Sequence, residues 1–187
     1  MSRKAVVALV VAGLLVVAAL SLVGTYNRLV GLDEGVKAAW AQVENQLRRR
    51  LDLVPNLVET VKGYAAHERE VLQAVTEARA RAGQAATVEG QIAANQDLSS
   101  ALSRLLLVVE RYPDLKASAN FSRLQDELAG TENRIAVERR RYNQAVQAYN
   151  IAIRRFPTNL LAGLLGFARA PFFEAPPAAG EPPVVKF

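Results

Sequence analysis

The sequence has 187 residues, a formal net charge of +5, no cysteine and one histidine. The lack of cysteine excludes a disulfide framework and a thiol nucleophile. Its 23 basic residues are interleaved with 18 acidic ones, a pattern typical of solvated helix faces, so we expect no nucleic-acid partner.

The first predicted element is an apolar helix over residues 5–23, which contains no charged side chain. At about 1.5 Å per residue it would span about 28 Å, close to the roughly 30 Å hydrocarbon core of a bilayer. Arg3 and Lys4 precede it, so a cleaved secretory signal peptide is the competing interpretation. The run is long for a signal peptide, and we predict an uncleaved anchor that includes Ala5, Leu9, Leu14, Leu15, Leu20 and Val23.

Basic residues beside the anchor predict its orientation. Arg3 and Lys4 lie immediately before it, whereas Arg28 and Lys37 follow at a greater distance. Because basic residues favour the cytoplasmic side, we expect a single-pass protein with a cytoplasmic N-terminus and an extracytoplasmic body.

Two helices are predicted directly after the anchor. Apolar residues at three- and four-residue steps indicate a first amphipathic helix, which the basic run Arg48–Arg50 would end. Asp52 is a plausible N-cap for the second helix, because Pro55 would then lie in its first turn, where proline is tolerated.

Two further helices complete the predicted body. The third runs from Ile92 to Tyr112 and ends at a Tyr-Pro-Asp turn. The fourth keeps a heptad pattern across Gly130, with aromatic or aliphatic residues at Phe121, Leu128, Ile135, Tyr142, Tyr149 and Phe156. We therefore predict an all-α fold in which a transmembrane helix precedes an up-and-down four-helix bundle of long antiparallel helices.

The domain organisation follows from these elements. We predict an anchor over residues 1–24, the bundle over 25–157, a short apolar segment over 158–173 and a Pro- and Ala-rich flexible tail over 174–187. The tail ends in Val185, Lys186 and Phe187, which could add to a groove that captures a terminal carboxylate; packing on the bundle, or no role, is the alternative.

The short apolar segment has two interpretations. It could lie in the membrane interface beside anionic headgroups, or form a short helix folded back over the base of the bundle. The candidate interfacial residues are Arg154, Arg155, Leu160, Leu161, Leu164, Leu165, Phe167, Arg169, Phe172 and Phe173.

Several polar residues of the fourth helix are candidates for specific contacts. Asn143 and Asn150 lie seven residues apart on one face, beside the aromatic heptad positions. Buried amides of this kind set the register of a bundle, and a partner-binding ladder is the alternative. The complete candidate set is Glu132, Asn133, Arg134, Asn143 and Asn150.

No catalytic or metal-binding constellation is recognisable. His67 is the single histidine, and Tyr64 stands three residues before it, where a di-iron bundle would carry glutamate. His67-Glu68 also lacks the second histidine of a zinc motif. We therefore predict no enzyme, no cofactor, no metal and no small-molecule substrate.

Several motifs occur in a recognisable order along the chain. They are WAQVENQL at 40–47, DLVPNLV at 52–58, KGY at 62–64, LSRL at 102–105, YPDLKA at 112–117, GTENRI at 130–135, the Tyr-Asn pairs at 142 and 149, and Phe-Pro at 156. This series resembles the LemA family over about residues 26–173. The resemblance implies a bacterial single-pass membrane protein with a four-helix bundle. It also implies links to magnetosome membranes and to membrane-protease genes, but no agreed molecular activity.

Two functions are compatible with these features. The first is a membrane-anchored scaffold that binds lipid and protein partners, forms homo-oligomers and organises the membrane. The second is an adaptor that delivers substrates to a membrane protease in envelope quality control.

Overall fold

The computed structural model of the chain describes residues 2–174, apart from the side chains of residues 7, 8 and 18. The predicted flexible tail, including Val185, Lys186 and Phe187, lies outside the described residues except for Glu174.

Six helices make up the described chain: α1 (Arg3–Tyr64), α2 (Arg69–Gln84), α3 (Val88–Val109), α4 (Pro113–Lys116), α5 (Ala119–Arg154) and α6 (Thr158–Leu164). Between residues 2 and 174 there is no β-strand. The all-α class with a long apolar N-terminal helix is therefore confirmed, whereas the up-and-down packing of four helices stays a prediction.

The predicted break between the first and second helices is wrong. Helix α1 continues through Arg48–Arg50, Asp52 and Pro55, and the chain leaves the helix only after Tyr64. Asp52 is an exposed residue inside α1 and therefore does not cap a helix.

A hydrogen bond from another helix explains why α1 tolerates Pro55. Proline has no backbone N–H, so the Leu51 carbonyl four residues earlier loses its partner within the helix. The Arg79 side chain of α2 supplies a replacement, because its Nε donates to the Leu51 carbonyl oxygen at 2.9 Å. The sequence around Pro55 does not predict this hydrogen bond, because the donor Arg79 is 28 residues from Leu51.

The chain forms two compact units. The first comprises the residues up to Ala39 together with residues 144–170. Its buried side chains come from α1, α5 and α6, and are Leu29, Val36, Val146, Tyr149, Ala152, Ile153 and Ala162.

The second unit comprises residues 40–143 and, of the chain after α6, the described residues 171–174. Its main core cluster contains aliphatic side chains of α1, α2 and α3, the buried Leu115 of α4, and Phe121 and Leu124 of α5. Thr87 caps α3, since its hydroxyl oxygen accepts from the Gly90 N–H at 3.1 Å. At the turns, Glu68 accepts from Arg111 and from the Tyr112 hydroxyl.

Helix α5 is one helix of 36 residues, and its predicted continuity across Gly130 is confirmed. The heptad residues Phe121, Ile135, Tyr142 and Tyr149 are buried. Phe156 follows the end of the helix and is 81% exposed, so burial along the heptad stops at Tyr149.

Candidate functional site

The N-terminal part of α1 has the length and composition of a membrane span. Its most apolar window carries a mean hydropathy of 3.0, and none of it is buried by the described protein. The predicted anchor residues Leu9, Leu14, Leu15, Leu20 and Val23 are all exposed. A surface of this kind is costly in water and favourable in hydrocarbon.

An apolar groove lies in the first unit, next to the end of this span. Leu22, Val23 and Tyr26 of α1 line one side, and Leu161 and Leu165 line the other, around a volume of about 270 Å³. The Tyr26 ring also packs edge-on against Phe167, with ring centroids 5.9 Å apart. We call the groove lined by Leu22, Val23, Tyr26, Leu161 and Leu165 the anchor groove.

Helix α6 also presents apolar side chains outward. Leu164 is 85% exposed and Leu160 is 62% exposed. The predicted interfacial arginines Arg154, Arg155 and Arg169 are exposed as well. These residues all belong to the first unit.

One residue of the predicted interfacial set is buried. Phe172 is 46% exposed and stays a candidate, but Phe173, in the second unit, is only 2% exposed. Its ring packs against protein and is not available to lipid. Sequence alone did not separate the two neighbouring phenylalanines, because both follow the same apolar run.

In the first unit, Tyr149 and Asn150 of α5 bind the backbone of the chain that follows α6. The Tyr149 hydroxyl donates to the Ala168 carbonyl oxygen at 2.8 Å. The Asn150 amide makes two bonds to one residue: its Nδ2 donates to the Ala170 carbonyl at 2.9 Å, and its Oδ1 accepts from the Ala170 N–H at 3.0 Å. Both backbone groups of Ala170 are thereby satisfied.

In the second unit, Tyr142 and Asn143 make the same set of bonds. The Tyr142 hydroxyl donates to the Pro171 carbonyl oxygen at 2.8 Å. Asn143 donates to the Phe173 carbonyl at 2.9 Å and accepts from the Phe173 N–H at 2.8 Å. Burial raises the pKa of Tyr142 to about 12, so its hydroxyl keeps its proton and donates at physiological pH.

The Phe173 side chain lies among aromatic and cationic groups of the second unit. Its ring centroid is 6.2 Å from that of Trp40, and Trp40 packs edge-on against Tyr142 at 5.1 Å. The Arg139 guanidinium lies 5.8 Å from the Phe173 ring centroid, within the range of a cation–π interaction.

Each Tyr-Asn pair of α5 binds backbone groups of the chain that follows α6. Asn150 binds Ala170 and Asn143 binds Phe173, three residues further on. We call residues 168–173 the C-terminal segment. The heptad spacing of the two asparagines was visible in the sequence, but their backbone partners were not.

A buried arginine is the centre of a polar cluster in the second unit. The Arg50 side chain is 7% exposed, and its Nη1 donates to Asn95 at 2.9 Å and to Ser99 at 3.0 Å. The same nitrogen lies 3.1 Å from the Glu132 carboxylate, which is largely exposed. Burial lowers the pKa of Arg50, and the Glu132 charge acts in the opposite direction.

The Arg50 cluster differs from the prediction that the basic run Arg48–Arg50 ends a helix. Arg48 and Arg49 are exposed, but Arg50 is enclosed by protein rather than placed at a helix end. Of the predicted polar set on α5, Glu132 contacts Arg50, whereas Asn133 and Arg134 are exposed. A cavity of about 350 Å³ lies beside Arg50 and Glu132, and aliphatic residues including Leu57, Leu102, Leu106 and Leu128 line it.

We expect Arg50→Met to lower the free energy of unfolding by about 2 kcal/mol, because the buried Asn95 would lose its charged donor. Arg49→Met is the matched control, and we expect a change below about 0.5 kcal/mol because Arg49 is exposed. The measurement is chemical unfolding of the full chain in detergent. Equal effects of the two substitutions would contradict a structural role for the Arg50 cluster.

Metal-ligating side chains are not gathered anywhere in the described part of the chain. Within it, no group of three or more histidine, cysteine, aspartate or glutamate residues could hold a metal ion. His67 is exposed in the turn between α1 and α2.

Comparison with known proteins gives one family. The profile described as the LemA family matches residues 39–187. The matched range begins after the apolar span and includes the residues that bind the C-terminal segment.

Named relatives come from several bacteria. Magnetosome protein MamQ 2 of Paramagnetospirillum magneticum is 30% identical over 213 residues, which cover 99% of this chain and 78% of the relative. Magnetosome protein MamQ of Magnetospirillum gryphiswaldense is 26% identical over 88% of this chain and 70% of its own length. Protein LemA of Metamycoplasma hominis is 25% identical over 82% of this chain and 70% of its own length.

Proposed function

The chain belongs to the LemA family, and on that basis we propose that it is a single-pass membrane protein whose helical body acts as a scaffold. The scaffold binds lipid and protein partners, associates with copies of itself and organises the membrane around it. It has no catalytic activity of its own. The N-terminus is cytoplasmic, and the helical body lies outside the cytoplasm.

The exposed apolar span is the observation that carries this proposal. None of its apolar window is buried by the described protein, so lipid is the environment that removes its surface from water. The exposed leucines of α6 and the neighbouring arginines support a second, shallower contact with the membrane interface. Two relatives are named magnetosome proteins, which supports a role at a membrane.

A labelling experiment tests topology and assembly together. The chain contains no cysteine, so Ser2→Cys and the exposed Ser122→Cys give single-site probes without a background. We expect an impermeant thiol reagent to label the Ser122→Cys variant in intact cells and to leave the Ser2→Cys variant unlabelled. We also expect both proteins to resist alkaline carbonate extraction, and crosslinking to give self-adducts.

Three results would contradict the proposed topology, anchoring or self-association. Labelling of Ser2→Cys alone in intact cells would reverse the orientation, and release by carbonate would contradict the anchor. Absence of self-adducts, together with loss of function on deletion of residues 183–187, would favour the protease adaptor instead.

A further inference from the structure

We propose that the anchor groove holds one acyl chain of an anionic phospholipid. This inference rests on the proposed membrane anchoring and names the ligand of that surface. The groove combines a purely aliphatic and aromatic lining with a place beside the membrane span.

The position of the groove along α1 favours lipid as its occupant. Leu22 and Val23 are the last apolar residues of the span, and Tyr26 follows one helical turn later. Tyrosine is enriched where hydrocarbon meets headgroups, because its ring is apolar and its hydroxyl is polar. The groove is therefore continuous with the part of α1 that the bilayer covers.

The lining of the groove also favours a hydrocarbon chain. Its volume is about 270 Å³, and its aliphatic and aromatic side chains offer no set of polar partners to a peptide backbone. In the proposed complex, an extended hydrocarbon chain lies between Leu161 and Leu165 on one side and α1 on the other. Burial of its methylene groups against these residues supplies the attraction.

Charge in the first unit favours an anionic headgroup. Residues 1–39 and 144–170 contain seven basic residues and two acidic ones. Both acidic residues pair with Lys37, whose Nζ lies 2.8 Å from Asp33 and 2.7 Å from Glu34, and the unit keeps an excess of positive charge. Arg28, Arg154, Arg155 and Arg169 are exposed, so they can attract lipid phosphate.

A substitution that fills the groove distinguishes lipid binding in the groove from adsorption of α6 onto the membrane surface. Leu161→Trp places a large side chain in the groove, and Leu164→Trp makes the same change on an exposed residue outside it. The full chain would be delipidated in mild detergent and titrated with phosphatidylglycerol or phosphatidylcholine. Native mass spectrometry would count the lipids bound per chain, and circular dichroism would check that each variant keeps its helix content.

We expect one phosphatidylglycerol to bind the parent chain and the Leu164→Trp variant, with at least tenfold weaker binding to Leu161→Trp. Phosphatidylcholine should bind the parent chain several-fold more weakly than phosphatidylglycerol. Equal binding by both tryptophan variants would overturn the site, and equal binding of both lipids would overturn the selection for anionic headgroups.

A photoreactive lipid gives a second measurement that does not depend on the tryptophan variants. The full chain in phosphatidylglycerol nanodiscs would be crosslinked to a phospholipid with a diazirine near the middle of its acyl chain. We expect adducts on Leu161, Leu165 or Tyr26, whereas adducts confined to Leu160 and Leu164 would overturn the groove. Carbonate extraction of the tryptophan variants measures membrane anchoring independently of lipid binding. We expect the Leu161→Trp variant to remain anchored.

Discussion

Phe173→Ala should lower the free energy of unfolding by about 3 kcal/mol, whereas Phe172→Ala should change it by less than about 0.5 kcal/mol. The two residues are neighbours in sequence and equal in size. Phe173 is 2% exposed and packs near Trp40, but Phe172 is 46% exposed. The difference in the free energy of unfolding between the two variants therefore measures the burial of the Phe173 side chain, because both variants lose the same ring from the same segment.

Trp40 provides a local measurement of the same contact. It is the single tryptophan of the chain, and it lies between Tyr142 and Phe173. Loss of the Phe173 ring should expose the indole to water and shift its emission to longer wavelength, and Phe172→Ala should leave the emission unchanged. Identical unfolding curves and emission spectra for both variants would show that the C-terminal segment is not held against Trp40.

The second large effect is expected at the proline inside α1. Arg79→Met should lower the free energy of unfolding by about 1–2 kcal/mol, because the Leu51 carbonyl would lose its donor. Pro55→Ala restores a backbone N–H to that carbonyl and should raise stability by up to about 3 kcal/mol. In the Pro55→Ala background, Arg79→Met should then have little effect, giving a coupling energy of about 1–2 kcal/mol.

Arg81→Met serves as the control for the loss of one positive charge on α2, since Arg81 is exposed. All variants would be unfolded as full-length protein in the same detergent, with helicity followed by circular dichroism. Additive effects of Pro55→Ala and Arg79→Met would contradict the replacement of one donor by the other.

Periodic patterns predicted the elements that depend on local sequence. The uncharged run 5–23 identified the apolar part of α1, and the heptad from Phe121 to Tyr149 identified α5 across Gly130. Both patterns follow from the geometry of a helix and need no knowledge of the rest of the chain.

The errors arose where distant residues decide the outcome. Pro55 is tolerated because Arg79 reaches the Leu51 carbonyl, and Arg50 is buried because Asn95, Ser99 and Glu132 surround its guanidinium. Asn143 and Asn150 are predicted to set the register of a bundle or to bind a partner, but the hydrogen-bond partners in the structure are backbone atoms, which are the same in every residue except proline. Sequence periodicity contains no information on such contacts.

The backbone bonds of the C-terminal segment exclude proline at particular positions. The bonds from α5 use the N–H groups of Ala170 and Phe173, but only the carbonyl groups of Ala168 and Pro171. Proline is therefore compatible with positions 168 and 171, as Pro171 shows, and incompatible with 170 and 173. A deletion of one residue between 170 and 173 would change which backbone groups face Asn143 or Asn150, whereas most substitutions at 168 and 170 keep every bond. In an alignment of relatives, positions 168 and 170 should accordingly vary in identity, while the stretch keeps a constant length.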